Sequence, residues 1–149
     1  MTTTGVQQEI QIRLENKLVA ALPQELADLA TAIEKSKYIL SLEKDFDSEG
    51  AEPYPSEVWI KAIRFISGYA AWLFRLFGKT IALPEIYHAP ESSIDIYWEN
   101  ERFNLLINIP ADESPATFYG DDFGKQVTQG KFDPENFQNA LLPHLSILA

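Results

Sequence analysis

The stretch SEVWIKAIRFISGYAAWLFRLFG, residues 56–78, is the longest apolar run in the chain, and its reading decides the arrangement of everything else. At about 100° per residue, Glu57, Lys61, Arg64, Gly68, Arg75 and Lys79 fall on one narrow stripe. Apolar side chains, among them Trp59, Ile63, Ile66, Tyr69 and Leu73, fill the rest of the circumference. Such a helix must be covered on most sides. Lys61, Arg64 and Arg75 interrupt the uncharged run of about 20 residues that a membrane span needs. The expectation is therefore a central buried helix, capped by Ser56 after Pro55 and ended by Gly78.

Upstream, Val6, Ile10, Leu14, Leu18 and Leu22 recur at i, i+4, which predicts an amphipathic helix over residues 6–22. Pro23 opens or kinks a second helix, in which Leu26, Leu29, Ala30, Ile33 and Leu40 keep the helical period to about residue 42. Downstream of Thr80 the period changes to two. Strands are expected over residues 85–89, 93–99, 103–109 and 117–119, joined by short turns and hence antiparallel. Ile94, Ile96 and Trp98 would face the helix. Tyr87, Asp95, Tyr97, Asn104 and Asn108 would form a polar and aromatic outer face. Residues 120–130 read as a turn-rich link, and Asp133-Pro134 opens a short C-terminal helix to about residue 142. The fold class expected is α+β: N-terminal helices and a central buried helix packed on an antiparallel sheet of about four strands, closed by a short C-terminal helix. One domain spans residues 1–149, divided into a helical region (1–44), helix plus sheet (45–120), and a C-terminal loop and helix (121–149).

Composition narrows the chemistry. The chain has no cysteine, so disulfides, thiolate metal sites and cysteine nucleophiles are excluded. The opening MTTTGVQQEI lacks a basic stretch followed by an apolar one, which gives a cytoplasmic reading. The net charge is −10, but residues 56–83 carry +3 while residues 1–55 carry −5 and residues 84–149 carry −8. Long-range attraction to nucleic acid or to an anionic membrane is disfavoured, and a basic partner is favoured. Asp45, Asp47, Glu49 and Gly50 match the opening of a calcium-binding loop, but the twelfth position is Ser56 rather than Glu, and Pro53 and Pro55 intervene. His88 and His144 have no second ligand at metal-binding spacing, and no nucleophile elbow or phosphate-binding glycine loop is present. No cofactor is expected, and no catalytic residue stands out.

The chain resembles a known group. The order is Phe46-Asp47-Ser48-Glu49-Gly50-Ala51-Glu52-Pro53, the apolar helix, Pro84-Glu85-Ile86, a strand ending in Trp98-Glu99, and the alternating strand 103–109. This resembles a small uncharacterised bacterial protein group with an aromatic-Asp-x-x-Gly-Ala-x-Pro loop. The loop of that group usually begins with Trp where this chain has Phe46. The resemblance covers roughly residues 45–120. The group looks like the small proteins encoded near toxin–antitoxin and defence genes, which implies an antitoxin-like or regulatory role and supplies no catalytic residues to carry over.

Two surfaces are candidates for partner binding: the basic stripe Lys61, Arg64, Arg75 and Lys79, and the sheet face with Tyr87, Tyr97 and Asn104. The reading is a non-enzymatic protein-interaction or regulatory component of a bacterial accessory system, its partner another protein. Self-association through the N-terminal helices is a further expectation. The alternative is a small-ligand or metal-ion binding module using the loop of Asp45, Asp47 and Glu49 or the sheet face.

Overall fold

The computed structural model describes residues 8–121 and 127–136. The chain opens with a hairpin, β1 (Ile10–Leu14) and β2 (Lys17–Leu22). A 3₁₀ turn (Gln24–Leu26) leads into α1 (Ala27–Lys35), which tightens into a second 3₁₀ segment (Ser36–Ser41). The long helix α2 (Ser56–Phe77) follows. Then come five strands, β3 (Glu85–Ala89), β4 (Ser93–Glu99), β5 (Asn104–Ile109), β6 (Ala116–Asp121) and β7 (Val127–Phe132), which form one antiparallel meander in the order β3-β4-β5-β6-β7. No helix among the described residues is long and apolar enough to cross a membrane.

This corrects the expected architecture in three places. The predicted helix over residues 6–22 is, from Ile10 onward, the β1–β2 hairpin, paired Ile10↔Leu22, Ile12↔Ala20 and Leu14↔Lys17. A spacing of four is also a multiple of two, so Ile10 and Leu14 share one face of a strand, with Ile12 between them, as readily as one face of a helix. Glu15 and Asn16 both take left-handed φ (51° and 67°), the two-residue turn whose twist suits a hairpin. Pairing skips Val19, a bulge that turns Val19 and Ala20 inward and leaves Leu18 on the surface. The carbonyl freed by the bulge accepts the Nε–H of Arg64 at 3.3 Å, which ties the hairpin to α2.

The second correction is α1, which ends at Lys35 instead of continuing to about residue 42. Ser36 Oγ donates to the Ile33 carbonyl at 2.6 Å, a side-chain bond that competes with the helical ladder. The third is β7, a fifth strand where a link was expected. Its mid-strand Gly130 obscures the pattern, yet the ring of Phe118 lies over it: a Cβ there would come within 2.8 Å of Phe118 Cε1. Asp133 accepts the Glu135 N–H on Oδ1 (2.9 Å), and the remainder of the expected C-terminal helix lies outside the described residues.

Helix α2 is the hub. Glu57, Arg64, Gly68 and Arg75 are exposed as the stripe requires, while Trp59, Ala62, Ile63, Ile66, Ala70 and Leu73 are fully buried. The hairpin packs on one flank, the 3₁₀ segment Ser36–Ser41 on another, and β4 and β5 on the third. Both buried indoles find acceptors. Trp59 Nε1–H donates to Ser36 Oγ (2.9 Å), and Trp98 Nε1–H to the Ala82 carbonyl (2.8 Å). Pro55, not Ser56, occupies the N-terminal cap position, without a side-chain bond. Gly78 ends the helix at φ 69°, its N–H on the Phe74 carbonyl.

The hairpin reading makes a prediction of opposite sign from the helical one. Asn16→Gly is expected to raise the unfolding free energy read from urea titration by about 0.5–1 kcal/mol, because glycine favours the left-handed turn position. In a helix the same change would lower stability by a few tenths of a kcal/mol.

Candidate functional site

The strand register sorts the sheet into an inner and an outer face. Ile86, Ile96, Ile107 and Phe118 align across β3–β6 toward α2. On the other side, one cross-strand row reads Tyr87, Asp95, Asn108, Thr117 and Lys131, and the next Glu85, Tyr97, Leu106, Tyr119 and Gln129. A third row holds Glu99, Asn104, Asp121 and Val127. Tyr87 and Tyr119 are 46% and 42% exposed, far more than the core, which makes this an open face with large apolar bodies in it.

The tyrosines are held in place. Tyr87 donates its hydroxyl to Glu85 Oε2 at 2.8 Å, and Tyr97 donates to Glu99 Oε2 at 3.3 Å. Each bond joins neighbours two apart on one strand, so the phenol lies along the strand rather than standing off it. The hydrogen bond to Glu85 and that residue's charge push the Tyr87 phenol above its ordinary value of 10.0. Burial, followed by the charge of Glu99, does the same for Tyr97. Asn108 Nδ2 bridges Asp95 Oδ1 (2.8 Å) and Ser93 Oγ (2.9 Å). Asn104 Oδ1 is buried in the third row without a hydrogen-bond partner among the described residues.

The basic stripe turns largely onto the chain itself. Lys61 Nζ donates to the Asp112 carbonyl (2.9 Å), and Arg64 is bound to the β2 bulge. Arg75 pairs with Glu9 at 3.3 Å, an exposed contact. Lys79 lies on the surface just past Gly78. The structure thus brings Tyr87, Tyr97 and Asn104 onto one face and sets the four bases apart from it.

The loop of residues 45–55 is folded on its own carboxylates. Asp45 Oδ1 accepts the Gly50 N–H (2.7 Å), and Asp47 Oδ1 accepts those of Glu49 (2.8 Å) and Ala51 (3.2 Å). Among the described residues no three acidic or imidazole groups are placed to hold a metal ion. Beside this loop lies a cavity of about 680 Å³, walled by Phe46, Tyr54 and His88 and rimmed by Asp47, Glu49, Glu52 and Glu91. Tyr54, missed by sequence reasoning, is buried there. Its hydroxyl accepts the Ala89 N–H (2.9 Å) and shares its proton between the carbonyls of Ala89 (2.6 Å) and Ser93 (2.7 Å). This braces the turn of Glu91 and Ser92, both left-handed (φ 61° and 59°) and costly for residues with a Cβ. His88, an edge-strand residue, packs edge-on against Tyr38 and Phe46, and its Nδ1 shares a hydrogen bond with the Tyr38 hydroxyl at 2.8 Å.

Comparison with protein-family models, curated proteins and solved structures finds no match to this chain.

Tyr54→Phe is expected to lower unfolding stability by about 1–3 kcal/mol, read from urea unfolding, because it strands polar backbone groups of the β3–β4 turn. Asp47 should leave a pH signature. Its hydrogen bonds from Glu49 and Ala51 hold the carboxyl below its ordinary 3.8. The stabilisation is then complete above that unfolded value and lost as pH falls through the lower folded one. Melting curves between pH 5 and 2 should therefore fall less steeply for Asp47→Asn than for the parent.

Proposed function

We propose that this is a non-enzymatic interaction protein of a cytoplasmic bacterial accessory system, and that it contacts its partner through the outer face of the five-stranded sheet. The observation carrying this reading is the row Glu85, Tyr97, Leu106, Tyr119 and Gln129 with Tyr87 beside it, on a face turned away from the core. Tyrosines supply large contact area with an apolar body and a polar tip, and they are enriched where proteins meet. Tyr87 and Tyr97 are already fixed by Glu85 and Glu99, so less side-chain entropy is lost on docking. The antitoxin-like or defence-type setting rests on the loop motif that begins at Phe46.

A second reading, a small-ligand binding module, draws on the cavity walled by Phe46, Tyr54 and His88. Its size is in the range of ligand pockets.

The two readings separate in one comparison. Tagged parent protein and a Tyr87→Ala/Tyr97→Ala/Tyr119→Ala variant are recovered from the native cells under identical conditions. A stoichiometric partner kept by the parent and lost by the variant, with the circular dichroism of both unchanged, is the expected result. A partner retained by the variant would sink the sheet-face reading. A metabolite that raises the melting temperature of both proteins equally would favour the cavity.

A further inference from the structure

The chemistry of the outer face specifies the kind of partner, an inference that rests on the sheet-face reading above. Strands β3, β4, β5 and β6 contain no lysine or arginine. Their four acidic residues, Glu85, Asp95, Glu99 and Asp121, all lie on the outer face by register. The first basic residue met on that face is Lys131, on the far edge strand β7. The acids are not scattered among the aromatics. Glu85 stands directly across from Tyr97, and Tyr87 directly across from Asp95. On β3 and β4 each phenol thus has a carboxylate both across the ladder and two residues along its own strand.

This arrangement suits a guanidinium or ammonium group. A cation is attracted to the face of an aromatic ring, and more strongly when it can also meet a carboxylate at the ring's edge. A phenol donating to a carboxylate gains electron density on its oxygen, which strengthens that attraction. The spacing is equally specific. Equivalent positions along a strand recur every second residue, about 6.8 Å apart, which is also the repeat of alternate side chains in an extended peptide. We propose that the β3–β4 part of the outer face binds an extended segment of a partner protein carrying Lys or Arg at alternate positions, the cations seated between Tyr87, Tyr97, Glu85, Asp95 and Glu99.

The test uses three synthetic ten-residue peptides on the full chain: alternating Ser-Arg, the same composition as an Arg block followed by a Ser block, and alternating Ser-Glu. Binding is followed by amide chemical shifts and by titration calorimetry. The alternating Ser-Arg peptide is expected to shift resonances of residues 85–87 and 95–99 and to bind several-fold tighter than the block. Tyr97→Ala should weaken it by roughly fivefold, and Glu85→Gln/Glu99→Gln by about tenfold. Both glutamates are exposed, so that variant keeps the fold. Glu85→Lys/Glu99→Lys should reverse the preference toward the Ser-Glu peptide. Equal binding of alternating and block peptides, or shifts centred on residues 45–55, would overturn the proposal. Tighter binding of Ser-Glu to the parent's sheet face would overturn the basic partner alone and leave that face as the interaction surface. If none of the three peptides perturbs the sheet, the peptide proposal fails by itself, and the sheet-face reading still stands or falls with the Tyr87→Ala/Tyr97→Ala/Tyr119→Ala variant.

Discussion

The need to cover α2 governs the fold. Its apolar side chains occupy most of the circumference, so no single layer can bury them, and three separate elements converge on it. Polar bonds then set the register of each contact. Trp59 reaches Ser36 at the end of α1, and Arg64 reaches the bulge carbonyl of Val19 in β2. Both are side chains of α2, so the same helix that creates the demand for cover also supplies the ties. Removing a buried Trp such as Trp59 carries a cost of about 3–5 kcal/mol in comparable cores.

Covering α2 uses only one face of the sheet. The inner face of β3–β6 is mostly isoleucine, with Leu105, Trp98 and Phe118, and it meets the helix chiefly through β4 and β5. The outer rows are thereby released from the core and carry phenols, amides and carboxylates instead. At the β3 edge, the Tyr38 and Tyr54 hydroxyls bind backbone groups of that strand, and Tyr54 also bonds the start of β4. That bracing keeps a left-handed Glu91-Ser92 turn that neither residue would choose by itself. The open face therefore sits on a rigid frame, which suits recognition better than a mobile loop does.

Parts of this were legible in the chain. The stripe of α2, the alternation in β4 and β5 and the left-handed stop at Gly78 all follow from local period and residue type. The hairpin was not legible, because Val6, Ile10, Leu14, Leu18 and Leu22 satisfy a period of four that a helix and a strand pair share, and because the bulge at Val19 breaks the alternation that would have told them apart. Strand β7 was hidden by Gly130, whose reason for being there is a ring from another strand. On the sheet face, Tyr87, Tyr97 and Asn104 could be assigned to one side by parity. Their pairing with Glu85 and Glu99 required the actual register.

By itself, then, the sequence determined that a long helix must be buried on most sides, that antiparallel strands follow it, and that acidic and aromatic side chains share the strands' second face. These are properties of period and composition, fixed within a few residues of chain. Only the tertiary structure decided that the cover includes a β-hairpin, that five strands rather than four form the sheet, and that the bases of α2 bond to other segments of the chain while the carboxylates stand beside tyrosines. Each of these depends on contacts between residues far apart in sequence, such as Arg64 with Val19, Phe118 over Gly130 and Glu85 across from Tyr97, and no local pattern encodes which distant partner will be met.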